Sequence, residues 1–283
     1  MTWIDKSFEE IDELFTTLYY MSVKENPIAC RGQSDSRWPL RCSLDRLLEP
    51  NADYKERLAQ ESVILEKFRV LAIEYFGQIE SERLKQSLSN NKISALTVPQ
   101  HYRAPTRLLD WTHSPWIALY FAAIEHHERD GALWWFRQKP FEDEVHRRWD
   151  EVYHMKRYPE RNNEVNPNDT AFASDGPEWI TKLHCIIPFH RIEVQQAFFT
   201  VAGRLGLDHG EHIADLRLAD DQYGRIIVPG RWKQDILNIL RVMNIHSKSL
   251  DYPGADLVGS ALSRELREAN RRVGVDQSGI LPA

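Results

Sequence analysis

The 283-residue chain is long enough for one large domain or two small ones, and 42% apolar against 28% charged residues suits a packed core and excludes wholesale disorder. A net charge of −6 argues against non-specific coating of nucleic acid, and the longest apolar run, Trp116–Ile124, is far shorter than the roughly 18–20 residues of a membrane-spanning helix. Met1–Lys6 lacks the basic-then-apolar order of a signal peptide, and Cys30, Cys42 and Cys185 contain no Cys-x-x-Cys pair, so a cytoplasmic protein without a disulfide framework or zinc ribbon is expected.

In chain order, Phe8–Tyr20 reads as a short amphipathic helix, Ile28–Cys30 as the end of a strand and Leu40–Leu48 as a short helix. Glu56–Ser87 is the clearest long helical region, with Ile64, Leu65, Phe68, Leu71 and Ala72 at helical spacing and Gly77 as a break. Leu108–Trp111 reads as a strand or turn. Ser114-Pro115 then starts a helix, Ser as N-cap and Pro at the first position, and that helix is apolar nearly all round and so central to a domain. Ala132–Phe136 reads as a buried strand, and 139–179 as an insertion or surface excursion that could act as a lid. His184–Pro188, Phe198–Val201 and Arg225–Val228 read as strands, and Lys233–Val242 as a helix with Ile236, Ile239 and Leu240 inward; the tail after Arg267 is expected to fray. A helix-rich first half packed on a strand-rich second half gives an α+β fold with a mixed or antiparallel β core, in one domain over 1–283.

Several chemistries find no support. His126-His127 and His209-Gly210-Glu211-His212 have no partner ligands at metal-site spacing, and no phosphate-binding glycine loop or nucleophile elbow occurs. Arg31, Arg37, Arg41, Arg46, Arg103 and Arg107 are local cations of the kind a diphosphate takes, or else a solvated basic face. Two segments concentrate the chemistry. In Cys30–Leu40, Arg31 offers a forked donor beside Gly32, where a ligand could approach the backbone. In Gln100–Pro115 nearly every residue is polar, aromatic or conformationally special, and the segment leads straight into the buried helix. Those polar groups must pair with a ligand or with each other, the second alternative being an Arg107–Asp110 salt bridge with Ser114 as a mere cap.

Arg31-Gly32-Gln33-Ser34-Asp35 with Trp38-Pro39-Leu40, then Gln100-His101-Tyr102 with Pro105–Thr112 and Ser114-Pro115, resembles the FRG domain family. Arg191-Ile192, Gln195, Phe199-Thr200, Tyr252-Pro253 and Asp256 extend the resemblance over about 28–262. Cys30 stands where the family has an aromatic, Arg103 and Ala197 where it usually has Gly, and Gly254 where it has Asp.

The motif order is similar to that of ADP-ribosyltransferases: Arg31-Gly32 first, Thr112-His113-Ser114 leading into Ala118–Ala122 second, Glu193–Gln196 third. The resemblance implies a fold of that type and an NAD-dependent mono-ADP-ribosyltransferase acting on protein, RNA or DNA. It also implies a toxin or phage-defence effector with a cognate antitoxin, needing no metal. Arg31, Asp110, Ser114, Glu193 and Gln195 are the implied catalytic residues, with Glu193 and Gln195 on one face of a strand and Glu193 or Asp110 as the carboxylate. Arg31, Gly32, Gln33, Gln100, His101, Tyr102, Arg107, Trp111, Thr112 and Tyr120 are the implied NAD-binding residues. NAD hydrolysis, or ligand binding without turnover, are the alternatives.

Overall fold

An apolar stretch with no polar face needs cover on every side, and Pro115–Ala123 (α4) obtains it by lying against the middle of a sheet. The computed structural model describes residues 3–23, 27–48, 52–70, 94–149, 151, 178–184 and 189–252. In it α4 starts as the sequence predicts: Pro115 is the first helical residue and Ser114 Oγ accepts from the Ile117 N–H.

The protein is a mixed α/β structure with an open, mixed sheet of seven strands in the order β1-β7-β4-β2-β3-β6-β5. The strands are β1 Asp5–Lys6, β2 Ile28–Gln33, β3 Leu108–Thr112, β4 Gly131–Arg137, β5 Ile180–Leu183, β6 Ala197–Ala202 and β7 Tyr223–Val228. Neighbours are antiparallel except β1 and β7. On one face α4 packs with α1 (Ile11–Val23) and α8 (Lys233–Val242) around Leu14, Leu18, Ile117, Leu119, Ile236 and Leu240. On the other, Phe141 and Val145 of α5 (Gln138–Trp149) and Ile213 of α7 (His209–Asp215) cover Trp111, Phe136 and Phe198. A smaller cluster joins Leu44 and Leu48 to Ile64 and Phe68 of helix α2 (54–70) and Val98 of α3 (Ser94–His101).

Strands β1 to β4 all precede residue 138, so the expected division into a helical first half and a stranded second half is corrected. Three of these strands stand where the sequence places them, at Ile28–Cys30, Leu108–Trp111 and Ala132–Phe136, and β4 is buried as expected, with six of its seven residues inside. Leu40–Leu48 forms turns and no helix, with the Leu44 N–H bonded to the Thr106 carbonyl instead of to its own segment. The strand expected at His184–Pro188 lies just upstream at Ile180–Leu183; 185–188 lie outside the described residues. The supposed excursion at 139–179 begins as α5, whose Phe141 and Val145 are core residues, while 152–177 lie outside the described residues. Glu193 lies in a short helix, α6 (His190–Val194), with Gln195 at its C-cap, and not in a strand. Ile239 of α8 is 39% exposed. The expected helix at Glu56–Ser87 is described to residue 70; Gly77 and the tail after Arg267 lie outside the described residues.

The close seat of α4 rests on two glycines. A Cβ at Gly32 would stand 1.9 Å from the Ala118 carbonyl oxygen, and one at Gly131 would stand 2.3 Å from that of Ala122. Ala118 and Ala122 are four residues apart on one helix face, so small residues meet small residues at this crossing. Gly32 serves this packing in addition to any approach of a ligand to its backbone.

Candidate functional site

Strands β2 and β4 stay in register from Ile28↔Arg137 to Gln33↔Ala132, and β3 and β6 from Leu108↔Val201 to Thr112↔Ala197. Strands β2 and β3 pair at Cys30↔Thr112 alone, then part. A cavity of about 660 Å³ opens there. Consecutive residues of both strands, Cys30–Gln33 and Leu108–Thr112, line it. On one face of a sheet only alternate residues would do so; the cavity therefore sits at the strand edges.

Arg31 reaches across the gap. Its Nη1 donates to the Asp110 backbone carbonyl at 2.8 Å and lies 3.9 Å from Asp110 Oδ2. Among the described residues its buried Nε has no hydrogen-bond partner. Burial brings the guanidinium down to about 10, with the Asp110 charge opposing that shift and Arg46 adding to it. Arg31 stays cationic at neutral pH, and an incoming anion would relieve its poor solvation.

The Asp110 carboxylate is held from the other side. Gln100 Nε2 donates to both of its oxygens, at 3.1 and 3.0 Å. The Thr106 hydroxyl donates to Gln100 Oε1, which fixes the amide so that its NH2 faces Asp110. Asp110 is nevertheless 49% exposed at its side chain, so one flank is open to the cavity.

Among the described residues, six arginines line the cavity (Arg31, Arg41, Arg46, Arg57, Arg103, Arg191) against three carboxylates (Asp45, Asp110, Glu125). Arg57 Nη1 stands 3.7 Å from Asp45 Oδ1, a second ion pair beside that of Arg31 and Asp110. The balance favours an anionic ligand. Arg37, by contrast, turns to Asp35 through Nε and Nη2, where it is joined by Arg129. Cys30 also lines the cavity, but burial pushes its thiol far up, away from the thiolate a nucleophile needs. Among the described residues no group of three His, Cys, Asp or Glu is placed to hold a metal ion.

Of the residues singled out in the sequence, Arg31, Gly32, Gln33, Gln100, Asp110, Trp111, Thr112 and Gln195 come together at the cavity. Several are committed to the scaffold. Gln33 accepts from Trp134 Nε1 and donates to the Pro39 carbonyl. Trp111 is a wall, its Nε1 bonded to Thr200 Oγ1, which in turn meets His209 Nδ1. The Thr112 hydroxyl donates to the Gln195 carbonyl, and the Gln195 amide donates to the Leu250 carbonyl.

Others lie elsewhere. Arg107 is buried against Glu61, not against Asp110. His101 stacks on Phe189 with centroids 3.8 Å apart, and burial lowers its imidazole to about 4. Tyr102 packs beside Phe68 and Phe189, Tyr120 is buried among the helices, and Glu193 is exposed on α6. Ser114 caps α4. Ser114→Ala is accordingly expected to lower stability by about 1 kcal/mol while leaving ligand affinity at the cavity unchanged, as paired urea titrations and calorimetry would read.

Sequence reasoning gave no site role to Arg191, Glu125 or Tyr252, though all line the cavity; Arg103, counted in the sequence among the cations a diphosphate takes, lines it too, as do Arg41 and Arg46. One signal was available for Arg103, which stands where the resembled family has glycine: its φ is 58°, a left-handed conformation that glycine adopts without strain.

Residues 26–131, from just before β2 to the first residue of β4, match the family model of the FRG domain. No curated protein and no solved structure matches the chain.

Proposed function

We propose that this FRG-domain protein binds NAD in the split between β2 and β3 and transfers its ADP-ribose to a macromolecular acceptor. The observation that carries the reading is the meeting of Arg31 and Asp110 across the gap, in a cavity rich in arginine. Its volume, about 660 Å³, lies within the range of small-molecule sites, about 300–1,000 Å³. On this reading Arg31, with its unpartnered Nε, takes the diphosphate. The bond between ribose C1′ and the nicotinamide nitrogen breaks, nicotinamide leaves with the electron pair, and positive charge spreads over C1′ and the ring oxygen. A nucleophile of the acceptor forms the new bond to C1′ and gives up its proton. Asp110 supplies the carboxylate that stabilises the developing charge or holds the 2′-hydroxyl, in place of the outward-facing Glu193. An ADP-ribosyltransferase type of fold, a cytoplasmic site of action, and a toxin or phage-defence role with a cognate antitoxin belong to the same proposal. Among the described residues no helix is long and apolar enough to cross a membrane, which accords with it.

The test is incubation with NAD labelled on the adenylate side, together with cell protein and RNA. Wild-type chain is expected to label one of them, Arg31→Ala to lose both binding and label, and Asp110→Asn to transfer about 100-fold more slowly at nearly unchanged NAD affinity. Free ADP-ribose without a labelled macromolecule would turn the reading to hydrolysis. A second reading, binding without turnover, is favoured by the exposure of Glu193 and by the tether of Gln195 to Leu250. Its signature is NAD binding with no release of nicotinamide.

A further inference from the structure

One part of the cavity has no role in the chemistry just described. Trp38, Phe121, Ile124, Glu125 and Tyr252 line it. Tyr252 Oη donates to Glu125 Oε1 at 3.2 Å, and its ring meets Phe121 edge-on with centroids 5.3 Å apart. The Arg103 guanidinium lies over the Tyr252 ring, 5.5 Å from the centroid. Burial, and next the charge of Glu125, push the phenol up to about 12, so Tyr252 is a neutral donor at physiological pH.

The backbone of Glu125 is fixed from behind. Buried Lys233 donates from Nζ to the carbonyls of Ser34 at 2.7 Å, Glu125 at 2.9 Å and His126 at 2.9 Å. An ammonium has three N–H bonds, and all are used. They tie the end of β2, the end of α4 and the start of α8 into one corner. Tyr252 fills one acceptor position of the Glu125 carboxylate, out of about four that a carboxylate offers. The corner thus presents an acceptor on an anchored backbone, oriented by Tyr252 and set between aromatic walls, in the same cavity as the arginines.

We propose that Glu125 is a specificity-determining residue that accepts a hydrogen bond from an N–H of the ligand's flat nitrogen heterocycle, with Trp38, Phe121 and Tyr252 as its walls. The inference rests on the NAD reading, where two groups share this chemistry: the amino group of adenine and the carboxamide of nicotinamide.

The experiment is calorimetry on the full chain with three probes: NAD, ADP-ribose, which has only the adenine, and nicotinamide mononucleotide, which has only the nicotinamide. Glu125→Ala is expected to weaken NAD at least about tenfold. It should weaken one of the two half-ligands as much and leave the other within about twofold, which identifies the ring. Should the alanine variant melt at lower temperature than wild type, Glu125→Met, which keeps the length of the side chain without an oxygen acceptor, is read by the same comparison. Equal NAD affinity in wild type and variant, or equal weakening of both half-ligands, overturns the inference while the NAD reading stands. Failure of wild type to bind any of the three overturns both.

Discussion

Gly32→Ala is expected to destabilise the protein by about 3 kcal/mol or more, at or above the upper end of what over-packing usually costs. The new Cβ would stand 1.9 Å from the Ala118 carbonyl oxygen and 2.5 Å from the Ala122 nitrogen. Both are main-chain atoms of α4, a helix buried on most sides, so no side chain can swing away to make room. Strand β2 cannot retreat either, being in register with β4 along its whole length. Urea unfolding of Gly32→Ala beside wild type measures the cost; an unchanged midpoint would refute the packing argument. Adding Ala118→Gly should bring no recovery, because the clash is with the Ala118 backbone. Loss of ligand with stability intact would instead make Gly32 a ligand-facing glycine alone.

Arg107→Leu should cost about 3–5 kcal/mol, the usual penalty for leaving one partner of a buried ion pair uncompensated. Arg107 and Glu61 are only 1% and 4% exposed at their side chains. Arg107 Nε donates to Glu61 Oε1 at 2.7 Å, Nη2 to Oε2, and Nη1 to the carbonyls of Ala202 and Gly203. The pair fastens α2 to the segment leading into β3 and to the end of β6. The double variant Arg107→Leu with Glu61→Leu removes both charges and is expected to recover much of the loss. A single variant within about 1 kcal/mol of wild type would show that water or rearrangement rescues the stranded carboxylate.

The same pair illustrates what a sequence can and cannot disclose. Arg107 and Asp110 are three positions apart and of opposite charge, an attractive pairing on paper. Near a strand, however, residues three apart point to opposite faces, and each finds its partner at long range: Arg107 finds Glu61, and Asp110 finds Arg31. Local signals were sound where the physics is local. Ser114-Pro115 marked the start of α4, and the periodicity of Lys233–Val242 gave the bounds of α8. Dense polar residues at Arg31–Gln33 and Gln100–Thr112 marked the two strands that line the cavity, because polar groups crowded around buried elements must be satisfied somewhere. Glu193 was misplaced because a five-residue helix has too few turns to declare a period. Glu125 and Tyr252 went unassigned because what unites them is a meeting of segments 127 residues apart.

The lone pair Cys30↔Thr112 also has a mechanical meaning. Within the sheet itself there are two panels, β1-β7-β4-β2 and β3-β6-β5, joined by one rung and the reach of Arg31, while the covering helices span both. A guest in the gap stands where further rungs are missing, so it braces the frame as well as occupying it. Whatever the panels gain in rigidity is then written into the guest's own affinity, because a molecule that binds only the assembled frame favours assembly in proportion to how tightly it is held.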